Sequence, residues 1–295
     1  MGTCTLSSIY ITKAINRMIP SSFPLQVLLS FTILSFRSSS ALFVPLVRRT
    51  YHYSTTSLKM AAESNDDDSN NNILTILGLG SLLSERSSRM TFPELTNFRL
   101  GRVPNYRRVF GHATSIFFKN KIANLETKEM ASLSAEFVEG HEGFVCTVFE
   151  VDNKDMMEDG VPSQAFLERE EEFNIITVPF VDLTTGKQSK GILCARGSDE
   201  EFFQRWGADY FEKEYGQYGI KTIWNWNETS GLRPCATYLR HCTLAAEGMG
   251  EVCHNSFLDE TFLVDRKTTI RAYLKENPQI MTTVPPPELA IRYGG

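Results

Sequence analysis

Between residues 73 and 195 the apolar positions fall into short runs divided by polar turns. The first run, Ile73-Leu74-Thr75-Ile76-Leu77, breaks into Gly78-Leu79-Gly80-Ser81-Leu82-Leu83. A compact apolar run that ends in a glycine turn reads as a buried strand. Residues 98–103, 106–110, 114–118, 131–137, 143–151, 175–181 and 191–195 read as further strands. Many strands joined by short turns predict a curved, mostly antiparallel sheet or barrel.

The pattern then changes to a helical period. Ser198-Asp199-Glu200-Glu201 is a capping box, with a hydroxyl at the N-cap and a glutamate three residues on. Phe202, Phe203, Trp206, Tyr210 and Phe211 follow as one core-facing stripe of a single helix. Residues 162–172 predict a short helix, and another opens near Pro234, a residue suited to a first turn. Tyr238, Leu239, Cys242, Ala245 and Ala246 share one face of it. The expected fold class is α+β: a small mixed, mostly antiparallel, barrel-like sheet with flanking helices.

The chain outside this body has a different composition. Residues 1–62 hold no Asp or Glu, but contain Lys13, Arg17, Arg37, Arg48, Arg49 and Lys59 among many Ser and Thr. An apolar stretch at 23–36 is shorter than the roughly 20 residues of a membrane span and is followed by small residues. Residues 1–60 are therefore expected to be an organelle-targeting presequence, plastid ahead of mitochondrion. Translation from Met60 would instead leave a cytoplasmic protein. Residues 61–72 are acidic and Asn-rich, a linker too polar to pack. The body is expected at 73–277, with an irregular tail at 278–295. Six of the 30 basic residues and none of the 35 acidic ones lie in the basic segment, leaving 24 against 35, a net charge of −11. An acidic body argues against a nucleic-acid partner, which needs a basic face. No later segment is long and apolar enough to span a membrane.

Candidate chemistry is sparse. There is no G-x-S-x-G elbow, H-E-x-x-H or complete P-loop. Residues 78–83 lack the third glycine of a dinucleotide fingerprint. His241-Cys242 and Cys253-His254 are adjacent pairs whose members point in different directions, so no metal is expected. Without cofactor or metal, acid–base work falls to a carboxylate. Glu168, Glu170, Glu171 and Glu172 crowd the approach to the strand at 175–181. A charge run is ordinarily a solvated face. A helix packed on the sheet must nevertheless turn Glu170 or Glu171 inward, and an inward carboxyl among like charges has its pKa raised above about 4.3. The backbone N–H groups of Gly80, Ser81 and Leu82 are a candidate seat for a carboxylate or an oxyanion.

The order of these motifs resembles the γ-glutamylcyclotransferase-like family, notably its plant and algal members. Gly80-Ser81-Leu82 matches the family's Tyr/Phe-Gly-Ser-Leu/Asn turn, with Leu79 where an aromatic residue is usual. Leu167-Glu168-Arg169-Glu170-Glu171 matches a Leu-Asp-x-x-Glu segment whose last residue is the base. Pro234-Cys235-Ala236-Thr237-Tyr238-Leu239 and the Ala245-Ala246 pair match the family's late helix. The resemblance covers about 73–274. It implies a cofactor-free enzyme that releases 5-oxoproline from a small γ-glutamyl amine or peptide. Glu171 would be the base, with Glu170 as the alternative because the segment that follows is short. Gly80, Ser81, Leu82 and Tyr238 would bind substrate. A binding or regulatory module of the same fold, without catalysis, is the alternative reading, and the sequence leaves the oligomeric state and leaving group open.

Overall fold

A computed structural model describes residues 73–153, 156–158, 161–162 and 170–294. The segments expected as presequence and linker, Glu168 and most of the helix expected at 162–172 lie outside them. Eleven strands are formed among the described residues: β1 Ile73–Gly78, β2 Thr96–Val103, β3 Tyr106–Ala113, β4 Glu129–Phe137, β5 Phe144–Asp152, β6 Met157–Glu158, β7 Val161–Pro162, β8 Asn174–Asp182, β9 Gln188–Ala195, β10 Arg233–Pro234 and β11 Thr261–Phe262. Helices are α1 Glu85–Arg89, α2 Ser115–Lys119, α3 Asp199–Trp206, α4 Ala208–Glu214, α5 Ala236–Gly248, α6 Glu251–Asp259, α7 Ile270–Glu276 and α8 Ala290–Tyr293.

The main sheet runs β1-β5-β2-β8-β9-β4-β3-β11, and β1 also meets β9 through Ile76 and Ile192. That second pairing closes β1, β5, β2, β8 and β9 into a ring, from which β4, β3 and β11 extend. Most pairs are antiparallel, as in β1 on β5 from Ile73↔Asp152 to Gly78↔Thr147. The parallel pairs are β1–β9, β4–β9, β10–β4 and β11–β3. The expected α+β fold with a closed, mixed, mostly antiparallel sheet is what forms.

β8 and β9 pair as a hairpin from Asn174↔Ala195 to Val181↔Gln188. Its turn is fixed by Asp182, whose carboxylate accepts the N–H groups of Thr184 and Thr185 at 2.9 Å each. A continuous core of buried residues joins the ring to α5, with Leu239, Cys242 and Ala246 fully buried. Every residue of the apolar face expected for that helix is buried.

Four expectations need correction. Residues 115–119 form helix α2, not a strand. Phe117 and Phe118 are both buried, and two adjacent residues cannot share the inner face of a strand. The aromatic stripe after Ser198 is split between α3 and α4, because Gly207 takes φ 84° and stops the first helix. Phe203 is thereby left exposed. The late helix begins at Ala236, since Arg233 and Pro234 first pair with β4. The tail is not irregular: short helical turns at Pro278–Thr282 and Pro287–Leu289 lead into α8, and Ile280 and Tyr293 are buried in the main core.

Candidate active site

β1 delivers the chain to the turn, where Ser81–Leu83 forms a single 3-10 turn. Neither glycine in it has a positive φ, and close approach of other residues accounts for both. A Cβ on Gly78 would lie 2.4 Å from Thr147 Oγ1, and one on Gly80 would lie 2.3 Å from the Tyr238 hydroxyl. The turn is held from outside as well. The Leu82 carbonyl accepts the Thr147 hydroxyl at 2.8 Å and the Ser88 hydroxyl at 2.9 Å. Tyr238 thus sits against the turn, packed between Phe110, Phe117 and Tyr293.

The glutamates reach the same place from the other side. A cleft of about 860 Å³ is lined by Gly80, Ser81 and Leu82, by Glu170, Glu171 and Glu172, and by Tyr238. Every sequence-expected site residue that falls among the described ones therefore lines one cavity. Glu171 and Glu172 are 4% and 5% exposed, whereas Glu170 is half-buried. Glu170 Oε2 accepts from the Cys194 thiol at 3.5 Å.

Glu171 and Glu172 form a pair around one phenol. The Tyr215 hydroxyl lies 3.0 Å from Glu171 Oε1 and 2.7 Å from Glu172 Oε1. It has one proton, so it donates to one carboxylate at a time. The other Glu171 oxygen accepts from Tyr210 at 2.6 Å. Glu172 Oε1 also accepts from the Thr114 hydroxyl and from the Ser115 N–H at 3.2 Å. Thr114 is the N-cap of α2 and makes no side-chain cap of its own, so Glu172 supplies the acceptor that this helix start lacks. The hydrogen bonds that Glu172 accepts from other described residues all fall on Oε1, and its own backbone N–H also bonds the carboxyl.

Burial, and then the negative charge of Glu171, pushes the Glu172 carboxyl up to about 7. The hydrogen bonds from Thr114 and Tyr215 act in the opposite direction and are outweighed. The Tyr215 phenol is itself raised well above 10 by burial and by the two glutamates, so it stays a donor. The backbone beneath the pair is fixed by indoles. Trp206 Nε1 donates to the Glu171 carbonyl and Trp224 Nε1 to the Glu172 carbonyl, each at 3.1 Å. Trp224 is stacked on buried His112 at 4.2 Å.

Sequence reasoning passed over Glu172, Thr114, Tyr210 and Tyr215. The signal lay in the aromatic residues around α4: a tyrosine hydroxyl drawn into a packed cluster needs a partner, and Tyr210 in the first turn of α4 and Tyr215 just after its end both meet Glu171. Two buried cysteines do not compete for the chemistry. Cys146 and Cys235 are buried and their thiols are pushed up to about 12, far from the thiolate a nucleophile needs.

No family model and no curated protein matches the chain. Solved structures similar to it include one titled gamma-glutamyl cyclotransferase, 12% identical with a TM-score of 0.39, covering 60% of this chain and 80% of that one. An uncharacterized protein from Homo sapiens matches with the same identity, TM-score and coverage. A protein from Arabidopsis thaliana, also 12% identical, matches with a TM-score of 0.29 over 52% of this chain and 93% of its own.

Proposed function

We propose that this chain is a γ-glutamyl cyclotransferase-type enzyme, releasing 5-oxoproline from a γ-glutamyl amine or peptide. One observation carries the reading. Ser81 and Glu171, 90 positions apart in the chain, line a single cleft that also holds a buried carboxyl pair. The reaction needs no protein nucleophile, because the substrate's own α-amine attacks its γ-carbonyl and proximity is built into the molecule.

The α-ammonium first gives a proton to the carboxyl pair. The amine nitrogen bonds to the γ-carbon, the bond from that carbon to the leaving nitrogen breaks as the pair returns the proton to the leaving amine, and the attacking nitrogen gives its second proton to the vacated carboxylate, which passes it to the released amine as that departs as an ammonium ion. Proton and electron counts close within one turnover. The resemblance assigns the base to Glu171. Both Glu171 oxygens accept from tyrosines, whereas no other described residue bonds Glu172 Oε2, and the Glu172 carboxyl titrates near neutral pH. We therefore assign proton transfer to the pair, with Glu172 Oε2 as the atom that meets substrate and Glu171 as the charge that raises it. The N–H groups at 80–82 would polarise the γ-carbonyl as its oxygen gains charge.

The test is 5-oxoproline release from γ-glutamyl dipeptides, γ-glutamyl-ε-lysine and glutathione. Glu172→Gln and Glu171→Gln should each lower kcat by at least about 100-fold, the range a lost general base spans. Glu170→Gln should stay within about tenfold. Full activity in both pair variants would remove the assignment. No release from any substrate would leave a non-catalytic module of the same fold.

A further inference from the structure

We propose that Arg292, on the tail helix α8, binds the α-carboxylate of the substrate and so orients it in the cleft; this rests on the cyclotransferase reading above. The starting point is the charge of the cleft. Glu170, Glu171, Glu172 and Glu214 line it, and a γ-glutamyl group must bring a further carboxylate among them. Like charges at short range repel, and more strongly as water is excluded. A cation is needed to offset this.

Three cations line the same cleft: Lys119, Lys213 and Arg292. Both lysines are already engaged by Glu214, at 2.5 Å and 3.2 Å. Arg292 makes no ion pair among the described residues. Its mount is fixed all the same. The neighbouring Tyr293 is 2% exposed and packs edge-on against Tyr238 and His241, with ring centroids 6.3 and 5.7 Å away. Arg240 on α5 clasps the tail, donating to the Met281 and Gly294 carbonyls at 3.2 Å each. The Arg292 guanidinium itself lies 5.5 Å from the Tyr293 ring centre.

A guanidinium that touches Tyr293 but makes no ion pair among the described residues, on an anchored backbone, suits a carboxylate, whose two oxygens match its fork. The two charges of the substrate are then separated: the ammonium faces the Glu171–Glu172 pair and the carboxylate faces the Arg292 wall. The γ-carbonyl lies between them, beside the turn.

The test compares two small ligands that differ by this one group, 5-oxoproline and 2-pyrrolidone, titrated calorimetrically into the full chain. The wild type should bind 5-oxoproline at least tenfold more tightly. Arg292→Gln should bring the two affinities within about twofold by weakening 5-oxoproline alone, and Arg292→Lys should keep an intermediate preference. Thermal stability should not move, since Arg292 is exposed. An unchanged preference in Arg292→Gln, or no preference in the wild type, overturns the proposal. The titration needs no turnover. A chain that prefers 5-oxoproline through Arg292 but releases none from any substrate loses the enzymatic reading and keeps the carboxylate site.

Discussion

At the scale of single residues, Glu172 joins stability and chemistry through one proton. Its ordinary carboxyl value is 4.5, and in the fold it is raised to about 7. Between these values the folded chain holds a proton that the unfolded chain has lost, so stability falls as pH rises across that window. The contribution is full below about 4.5 and gone above about 7. A shift of this size corresponds to on the order of 3 kcal/mol. Glu172→Gln, which cannot ionise, should flatten the decline: the variant should gain on the wild type between pH 5 and pH 8 in urea titrations. An identical pH dependence of both proteins would contradict the raised value. The same proton sets the rate. Since the base must be ionised, kcat/KM should climb through about pH 7. Tyr215 donates to Glu172 and holds its carboxyl down. Tyr215→Phe should therefore move the midpoint of that climb to higher pH. A midpoint shifted to lower pH would mean that the phenol serves the neutral acid instead.

Among the elements, the β1 turn shows how far pattern alone reaches. The run at 73–77 and its glycines announced a strand and a tight turn, and both are present. What required the glycines was hidden, because Thr147 on β5 and Tyr238 on α5 approach from distant parts of the chain. Gly80→Ala places a methyl group against the Tyr238 hydroxyl on a packed, buried ring. It should destabilise by about 1–3 kcal/mol, as overpacking does, and should remove 5-oxoproline release together with stability. Thr147→Val should cost about 1 kcal/mol by ending the hydrogen bond to the Leu82 carbonyl. A melting temperature unchanged in both would show that the turn is not held by these contacts. The α5 face was legible for the same reason as β1, since burial there is continuous and the period is regular. Helix α2 was not. Its five residues are too few for a period to emerge, and its start is completed by Glu172, 57 positions after Ser115. The carboxylate cluster was legible as a site, but its register was not, because Tyr210, Tyr215 and Thr114 decide which oxygens remain free.

Over the whole molecule, the cleft draws together remote parts of the chain, among them the β1 turn, the segment before β8, helix α5 and the tail. Closure of the ring through β1 and β9 brings the first two together, since β8 pairs along β9. The tail completes the wall. Its three prolines at 285–287 suggested a segment without structure, yet Pro287 opens a helical turn and Tyr293 is driven into the core between Tyr238 and His241. An aromatic one residue before the last position of the described chain was a weak signal in sequence, because nothing nearby has a period to which it belongs. Tyr293→Ala in the full chain should cost about 3–5 kcal/mol, as removal of a buried aromatic does. At roughly 2–4 °C per kcal/mol for a body of this size, the melting temperature should fall by on the order of 10 °C. It should also weaken 5-oxoproline binding, because the backbone carrying Arg292 loses its anchor. Arg292→Gln should produce the second effect without the first. If Tyr293→Ala melts with the wild type and still binds 5-oxoproline as tightly, the tail is not a wall of the site, and the cleft ends at α5.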